Sequence, residues 1–173
     1  MLSEDKVSTT IKTAEDLIEN GHKVIIFSCF TNTIRTVHEH FGKQSVYLDG
    51  SCSKIQRQYA VDQFQENDKI KVFVGNLKAA GVGITLTAGE AVIMNDLSFV
   101  PSDHAQGEDR CFRYGQKNSV SIYYPIFENT IEAAIYDILA KKKNIFETVM
   151  GDNLTDSSAD VVGEIMTLIN NQK

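Results

Sequence analysis

Short runs of apolar residues alternate along the chain with segments that show helical periodicity. The runs are rich in β-branched side chains and are too short for helices, which is typical of buried strands. One run is closed by Asp49 and Gly50, a pair of residues that favours a turn. The pattern predicts strands at residues 23–28, 45–48, 70–74, 91–94 and 120–127.

The segments between these runs carry the signals of helices. Ile34 and Val37 lie three positions apart and share one face of a predicted helix. Ser53 and Gln56 have the spacing of a capping box, in which each side chain bonds the other residue's backbone amide. Helices are predicted at residues 31–41, from 53 to about 66, after Ser102, and from 129 to about 150.

Strands that alternate with helices predict an α/β fold, with a mainly parallel sheet and helices on both faces. We expect residues 1–22 to form an N-terminal lead-in helix and residues 23–150 to form the sheet domain. Residues 151–173 read as a polar linker and an amphipathic C-terminal helix. Ligands of such sheets bind at the carboxyl ends of the strands, so the functional site is expected there.

Charge and composition narrow the class of protein. The net charge of -6, from 17 Lys and Arg against 23 Asp and Glu, argues against coating nucleic acid by bulk charge but permits a local cationic groove. No run of about 18 apolar residues predicts a membrane span. The three cysteines are too few and scattered for a disulfide framework or a zinc cluster, so we expect an intracellular protein without a metal centre of its own.

Nucleotide chemistry is the next question, because many parallel sheets bind phosphates. A phosphate-binding loop needs Gly-x-x-x-x-Gly-Lys-Ser/Thr, whose amides and lysine hold the phosphate groups. Here the pair Gly42-Lys43 is followed by Gln44 and ends a predicted helix. The chain therefore lacks what it would need to bind and split ATP alone.

One polar segment has a spacing suited to phosphate. Gln106, Arg110 and Arg113 lie four and three positions apart and would share one face of a helix. Two guanidinium groups and an amide on one side form a donor cluster that fits a phosphate chain. The alternative is a solvated helix face on which Glu108 and Asp109 neutralise the arginines. The spacing alone leaves both interpretations open.

Five blocks in one order add context to this segment. They are Lys-Val-Ile-Ile-Phe-Ser-Cys-Phe at 23–30, Tyr-Leu-Asp-Gly at 47–50 with Gln56-Arg57 and Phe64, residues 78–87, Asp-Leu-Ser-Phe-Val-Pro at 96–101, and residues 106–116. Over residues 20–150 the chain resembles the second, C-terminal RecA-like lobe of the Swi/Snf-type DNA translocases of helicase superfamily two. Residues 96–116 with Tyr-Tyr-Pro at 123–125 look nearest to the annealing-helicase-like branch.

The resemblance implies half of an ATP site. In this family ATP and Mg²⁺ bind in a cleft between two lobes of one polypeptide, and the first lobe supplies the phosphate loop and the metal ligands. Arg113 matches the arginine finger that neutralises charge on the transferred phosphoryl group. Arg110 matches the companion arginine, and Gln106 the residue that orients the cluster.

Further positions match the cleft and the DNA-facing side of the family. Gly81 and Gly83 would allow a tight backbone turn at the ATP cleft, and Asp96 would face that cleft from a strand end. Ser28, Asn76 and Lys78 match positions near the DNA backbone. An ordinary turn, cap or structural role remains an alternative at each position. The chain departs from the family pattern at Ala80, Thr85, Phe99, Val100 and Gly107.

The function expected from these matches is that of the second motor lobe of an ATP-dependent translocase on double-stranded or branched DNA. It would be inactive without the first lobe. Its location would be the nucleus of a eukaryote, or the cytoplasm and nucleoid of a bacterial or viral host. One alternative is a non-catalytic RecA-like binding module that supplies its arginines to another chain. A second is a small α/β enzyme built around Cys29 or His104.

Overall fold

The computed structural model describes residues 2–77, 84–98, 103, 107, 119–128, 130 and 132–137. These residues belong to two compact units. The first unit holds residues 2–77, 84–96, 107 and 119–125, and it contains the sheet. The second holds residues 97, 98, 103, 126–128, 130 and 132–137. The predicted linker and C-terminal helix at 151–173 lie outside the described residues.

The first unit is built on a five-stranded sheet in the order β2-β3-β1-β4-β5. Each pair of neighbouring strands is parallel, which confirms the predicted α/β fold. The elements are α1 (Leu2–Glu19), β1 (Val24–Ser28), α2 (Thr31–Phe41), a 3₁₀ turn (Gly42–Gln44), β2 (Ser45–Leu48), α3 (Lys54–Glu66), β3 (Val72–Asn76), β4 (Ala91–Met94) and β5 (Ser121–Tyr123).

Alternate residues of the strands supply two cores, one on each face of the sheet. On one face, Val24, Ile26 and Ile93 pack with buried residues of α1 and α2. On the other face, Ile25 and Phe27 of the same central strand pack in the core that includes α3. Helices therefore cover both faces, as an all-parallel sheet requires.

The first helix belongs to the core of the sheet unit. Its buried and half-buried positions recur at helical spacing, and Ala14 is fully buried against the sheet. The helix stops where Gly21 takes a positive φ of 91° and donates its amide to the carbonyl of Ile18, 2.9 Å away. The segment predicted as a lead-in helix is thus packed on the strands, while the domain boundaries at residues 22 and 150 stay predictions.

The capping box predicted at α3 is confirmed. The Ser53 side chain accepts a hydrogen bond from the amide of Gln56 at 3.3 Å, and the Gln56 side chain accepts one from the amide of Ser53 at 2.8 Å. The predicted limits of α2 and the end of α3 are also confirmed.

Three strand predictions need correction. β1 begins at Val24, one residue later than predicted. β3 begins at Val72 and ends at Asn76, each two residues later than predicted; the amide of Ile70 bonds the carbonyl of Asn67 in the turn that follows α3. β5 ends at Tyr123, although the prediction extended to Phe127. Among the described residues, β5 pairs only with the short β4, and Pro125 has no amide hydrogen for a ladder.

In the second unit, residues 132–137 are helical, within the helix predicted from residue 129. The Thr130 hydroxyl caps this segment, since it accepts a hydrogen bond from the amide of Ala133 at 3.3 Å. The rest of that predicted helix, and most of the one predicted after Ser102, lie outside the described residues. Across the part of the chain that the structure describes, no helix is long and apolar enough to cross a membrane.

Candidate functional site

Three adjacent parallel strands place polar residues at one edge of the sheet. Ser28 ends β1 and lies beside Asn76, the last residue of β3. On the other side of β1, Phe27 pairs with Met94, so Asn95 and Asp96 follow β4 next to Ser28. The predicted residues Ser28, Asn76 and Asp96 are therefore brought together, as expected for residues at the carboxyl ends of parallel strands.

The Asp96 carboxylate is held by three donors. One oxygen accepts a short hydrogen bond from the Ser28 hydroxyl and a second one from the amide of Cys29 at 3.2 Å. The other oxygen accepts from the side-chain amide of Asn95 at 2.9 Å. Donors from two strand ends therefore fix the orientation of a partly buried carboxylate.

Ser28 is fully buried, and this bears on its predicted place near DNA. Its hydroxyl donates to Asp96 and also accepts from the amide of Phe30 at 3.1 Å. In this geometry the side chain holds Asp96 and the backbone at residue 30. We call the cluster of Ser28, Asn76 and Asp96 the polar edge. A direct DNA contact by Ser28 stays a prediction.

Asn76 joins β3 to the backbone that follows β1. Its side-chain amide donates to the carbonyl of Cys29 at 3.3 Å, and the side chain is half-buried. Residues Ser28 and Cys29 are therefore bonded to Asp96 after β4, and Cys29 is also bonded to Asn76 of β3. This bracing holds the start of α2 at the edge of the sheet.

The polar edge extends inward through a pair of residues that the sequence analysis did not assign to the site. Asn95 is 1% exposed and Thr10 of α1 is fully buried. The Thr10 hydroxyl lies 2.7 Å from the side-chain oxygen of Asn95. Signals existed in the sequence, because Asn95 directly follows an apolar strand and Thr10 occupies a polar position on the buried stripe of α1.

A second carboxylate, which is buried, follows β2 at the same edge. Asp49 is 1% exposed, and one of its oxygens accepts from the amide of Ser51 at 2.8 Å and from its hydroxyl at 2.5 Å. The hydroxyl bond of Ser51 is the largest cause that lowers the pKa of Asp49 below its usual value. The other oxygen lies 3.6 Å from the guanidinium of Arg35, which also lowers the pKa, while burial of the carboxylate acts in the opposite direction.

The remaining predicted site residues cannot be placed. The expected catalytic group and part of the expected cleft and DNA-facing groups lie outside the described residues; these are Gln106, Arg110, Arg113, Gly81, Gly83 and Lys78. The base proposed for the rival enzyme, His104, also lies outside them. Cys29, its proposed nucleophile, is half-buried, and its backbone rather than its thiol carries the contacts with Asp96 and Asn76.

One departure from the family pattern has a packing explanation. Gly107 stands where the Swi/Snf-type pattern has alanine. A methyl group there would lie 2.9 Å from the δ carbon of Leu77 and 3.1 Å from the ε carbon of Met94. Both distances are shorter than ordinary contacts, so glycine allows residue 107 to approach these two side chains closely.

Within the described parts of the chain, no three His, Cys, Asp or Glu side chains are grouped so that they could hold a metal ion. Both oxygens of Asp96 are engaged by protein donors.

Comparison with known proteins decides the family. Residues 6–115 match the helicase conserved C-terminal domain. The ATP-dependent helicase fft3 of Schizosaccharomyces pombe is 35% identical over 158 residues, which cover 90% of this chain and 17% of fft3. The chain belongs to the helicase C-terminal domain family. Its relatives and structural neighbours identify it as the C-terminal lobe of a Swi/Snf-type ATPase.

Solved structures support the same assignment of this helicase lobe. The crystal structure of the C-terminal part of the Fun30 ATPase domain has a TM-score of 0.70 and 33% identity, and the match covers 78% of this lobe and 44% of that chain. The SWI2/SNF2 ATPase core of Sulfolobus solfataricus in complex with double-stranded DNA has a TM-score of 0.66 and 28% identity, covering 86% and 32%. The RecA-like fold is thereby confirmed.

The helicase lobe spans less than a fifth of fft3 and less than half of each of these two solved chains. The family assignment therefore concerns one lobe and not a whole ATPase. The predicted placement nearest to the annealing-helicase-like branch stays a prediction.

Proposed function

We propose that this helicase lobe is the second motor lobe of an ATP-dependent translocase on double-stranded DNA. The observation that carries the proposal is the hydrogen-bonded edge of Ser28, Asn76 and Asp96 in a chain of this family. The Sulfolobus neighbour, whose structure contains double-stranded DNA, supports the choice of nucleic acid. Branched DNA is a second possible form of the same partner.

The ATP side of the proposal rests on the spacing of Gln106, Arg110 and Arg113. Arg113 would reach a γ-phosphate held mainly by the first lobe of the same polypeptide and neutralise the charge that develops during transfer. Arg110 would be its companion, and Gln106 would orient both. ATP and Mg²⁺ would be held largely by the phosphate loop and carboxylates of that first lobe, so the isolated chain would be inactive.

The cleft and the DNA would meet at the carboxyl edge of the sheet. Asp96, with Gly81 and Gly83, would face the nucleotide cleft. Ser28, Asn76 and Lys78 would lie along the DNA backbone, where short polar groups and backbone amides hold phosphates without reading bases. Because Ser28 and Asp96 are bonded to each other, the two functions would share one rigid edge. We also propose an intracellular location, nuclear in a eukaryote.

The proposal is tested by DNA-stimulated ATP hydrolysis in a polypeptide that joins this lobe to its first lobe. For Arg113→Ala we expect the rate to fall on the order of 10³-fold, because an arginine finger contributes about that much to phosphoryl transfer. Arg113→Lys should rescue little of the loss, since an ammonium cannot reproduce the planar fork of a guanidinium.

Lys43→Ala is the matched control. Lys43 lies in the turn before β2, at the opposite end of that strand from the polar edge, and its loss should leave the rate unchanged. Thermal unfolding of each variant checks that the fold survives. An Arg113→Ala enzyme with the wild-type rate would remove the finger assignment and favour the non-catalytic RecA-like binding module.

A further inference from the structure

A buried polar contact interrupts the apolar packing of α1 on the sheet. Thr10 is fully buried and Asn95 is 1% exposed, and their side-chain oxygens lie 2.7 Å apart. The contact joins residues 85 positions apart. A buried polar group that loses its hydrogen-bond partner is destabilising, so such a pair is costly to break.

The orientation of the Asn95 amide follows from its other neighbour. Its nitrogen lies 2.9 Å from an oxygen of Asp96, and a carboxylate can only accept a hydrogen bond. The amide oxygen must then face Thr10, whose hydroxyl is the donor. The backbone of Asn95 is held separately, because its amide donates to the carbonyl of Phe27 at 2.8 Å. The Thr10 contact therefore fixes the side-chain amide of Asn95, while β1 fixes the Asn95 backbone.

The contact continues into the candidate site. Asn95 donates to one oxygen of Asp96, while the Ser28 hydroxyl and the Cys29 amide donate to the other. Removing the Thr10 donor would free the Asn95 amide to rotate and would leave Asp96 with one loosely held donor. The hydrogen bonds thus form a continuous path from α1 to the polar edge.

We propose that Thr10 is a positioning residue for Asp96. Through the amide of Asn95, the docking of α1 sets the orientation of the carboxylate that bonds Ser28, and so links this helix to the edge where the cleft and the DNA would meet. The proposal rests on the proposed function for its effect on activity, and on the described contacts alone for its geometry. Loss of a residue that acts through a neighbour in this way changes the orientation of the group it positions more than the binding of substrate.

The activity test uses Thr10→Val in the polypeptide with both lobes, because valine keeps the shape and loses the hydroxyl. We expect kcat for DNA-stimulated hydrolysis to fall roughly fivefold or more through misorientation, with KM for ATP within about twofold. Thr10→Ser keeps the hydroxyl and should restore the rate. Thr9→Val removes the exposed hydroxyl that bonds the Asp5 carbonyl and should change nothing.

A loss of stability must be separated from a loss of orientation. Ile34→Val removes one methylene from a fully buried residue of α2 and is expected to lower the melting temperature. It should keep the wild-type kcat at a temperature where every variant is folded. Equal losses of kcat in Ile34→Val and Thr10→Val would overturn the proposal, as would a Thr10→Val enzyme with wild-type kcat.

The geometry is tested without any activity by the ¹H–¹⁵N NMR spectrum of the 173-residue chain. In Thr10→Val, we expect shifts or broadening of the Asn95 side-chain amide signals and of the Cys29 backbone amide, the donor to Asp96. Thr9→Val and Thr10→Ser should leave them in place. Unmoved signals in Thr10→Val, or equal shifts in Thr10→Ser, would overturn the proposal. If wild type shows no DNA-stimulated hydrolysis but these signals move, the proposed function fails while the positioning role stands.

Discussion

At the scale of single residues, the carboxyl edge of the sheet shows two buried or partly buried carboxylates that differ in their partners. Asp96 bonds residues of the neighbouring strand β1 and its own neighbour Asn95, so it joins separate parts of the chain. Asp49 bonds the turn directly after it and faces Arg35 of α2. The first arrangement suits a residue that transmits position, and the second suits one that stabilises a turn.

Asp49 leads to a prediction about pH. Because its pKa is lowered in the folded state, it contributes stability above the usual carboxyl range, and that contribution is lost as the pH falls through the lowered pKa. Asp49→Asn should therefore reduce the free energy of unfolding at pH 7 by about 1–3 kcal/mol. The difference from wild type should narrow as the pH falls below 4, the usual carboxyl range. Urea unfolding over a pH series measures this difference.

The matched control is Asp62→Asn on α3. The Asp62 carboxylate is exposed and accepts one hydrogen bond from Gln58, at 2.7 Å. Asp62→Asn should change the free energy of unfolding little at pH 7 or below pH 4, because solvent already stabilises the charge of Asp62. A penalty for Asp49→Asn that did not depend on pH would contradict the role assigned to the ionised form.

At the scale of elements, α3 has specific contacts at both ends. Its first turn is closed by the capping box of Ser53 and Gln56. Its last turn is bonded from outside, because the Lys23 ammonium donates to the carbonyl of Phe64 at 2.7 Å and to that of Asn67 at 3.1 Å. The carbonyls at a helix end have no partners within the helix, and a cation is favourable beside them.

We expect Lys23→Met to lower the free energy of unfolding by about 1–2 kcal/mol, because it leaves two carbonyls without this donor. Hydrogen exchange should speed up for the amides of the last turn of α3, and urea unfolding should report the loss. Lys69→Met is the control, since Lys69 is exposed just beyond the same turn. Equal effects of the two changes would show that general charge, and not this contact, matters.

At the scale of the whole molecule, most of the sheet could be predicted from the sequence. The runs that form β1 and β4 are apolar except for the terminal Ser28 because both faces of the sheet are buried there, and this signal is local. The pattern misplaces the start of β3, because Ile70 is buried like a strand residue while its amide bonds in a turn. The hydrophobic pattern does not show whether a backbone amide bonds in a turn or in a strand.

The candidate site was predictable only in part, for a related reason. Ser28, Asn76 and Asp96 follow apolar runs, and parallel strands bring such positions to one edge. The link through Thr10 depends on a helix docking against a strand end 85 residues later in the chain. The spacing of residues within one segment carries no information about such a contact. A polar residue on an apolar helix stripe indicates only that some buried partner exists.

The packing of α1 leads to the last prediction, which tests the boundaries expected from the sequence. Without residues 1–22, the face of the sheet that includes Val24, Ile26 and Ile93 would lose its cover by α1, and Asn95 would lose its donor. The apolar residues of α1 contribute several kcal/mol on the usual scale of burial, a large part of the stability of a typical domain.

A chain of residues 23–150 should therefore melt about 10 °C or more below one of residues 1–150. Removal of residues 151–173 alone, predicted to be linker and tail, should leave the melting temperature unchanged. Circular dichroism melts of the two truncated chains and the full chain measure both boundaries. If residues 23–150 melted like residues 1–150, α1 would be an appendage of the fold, and its influence on Asp96 could not be transmitted through docking.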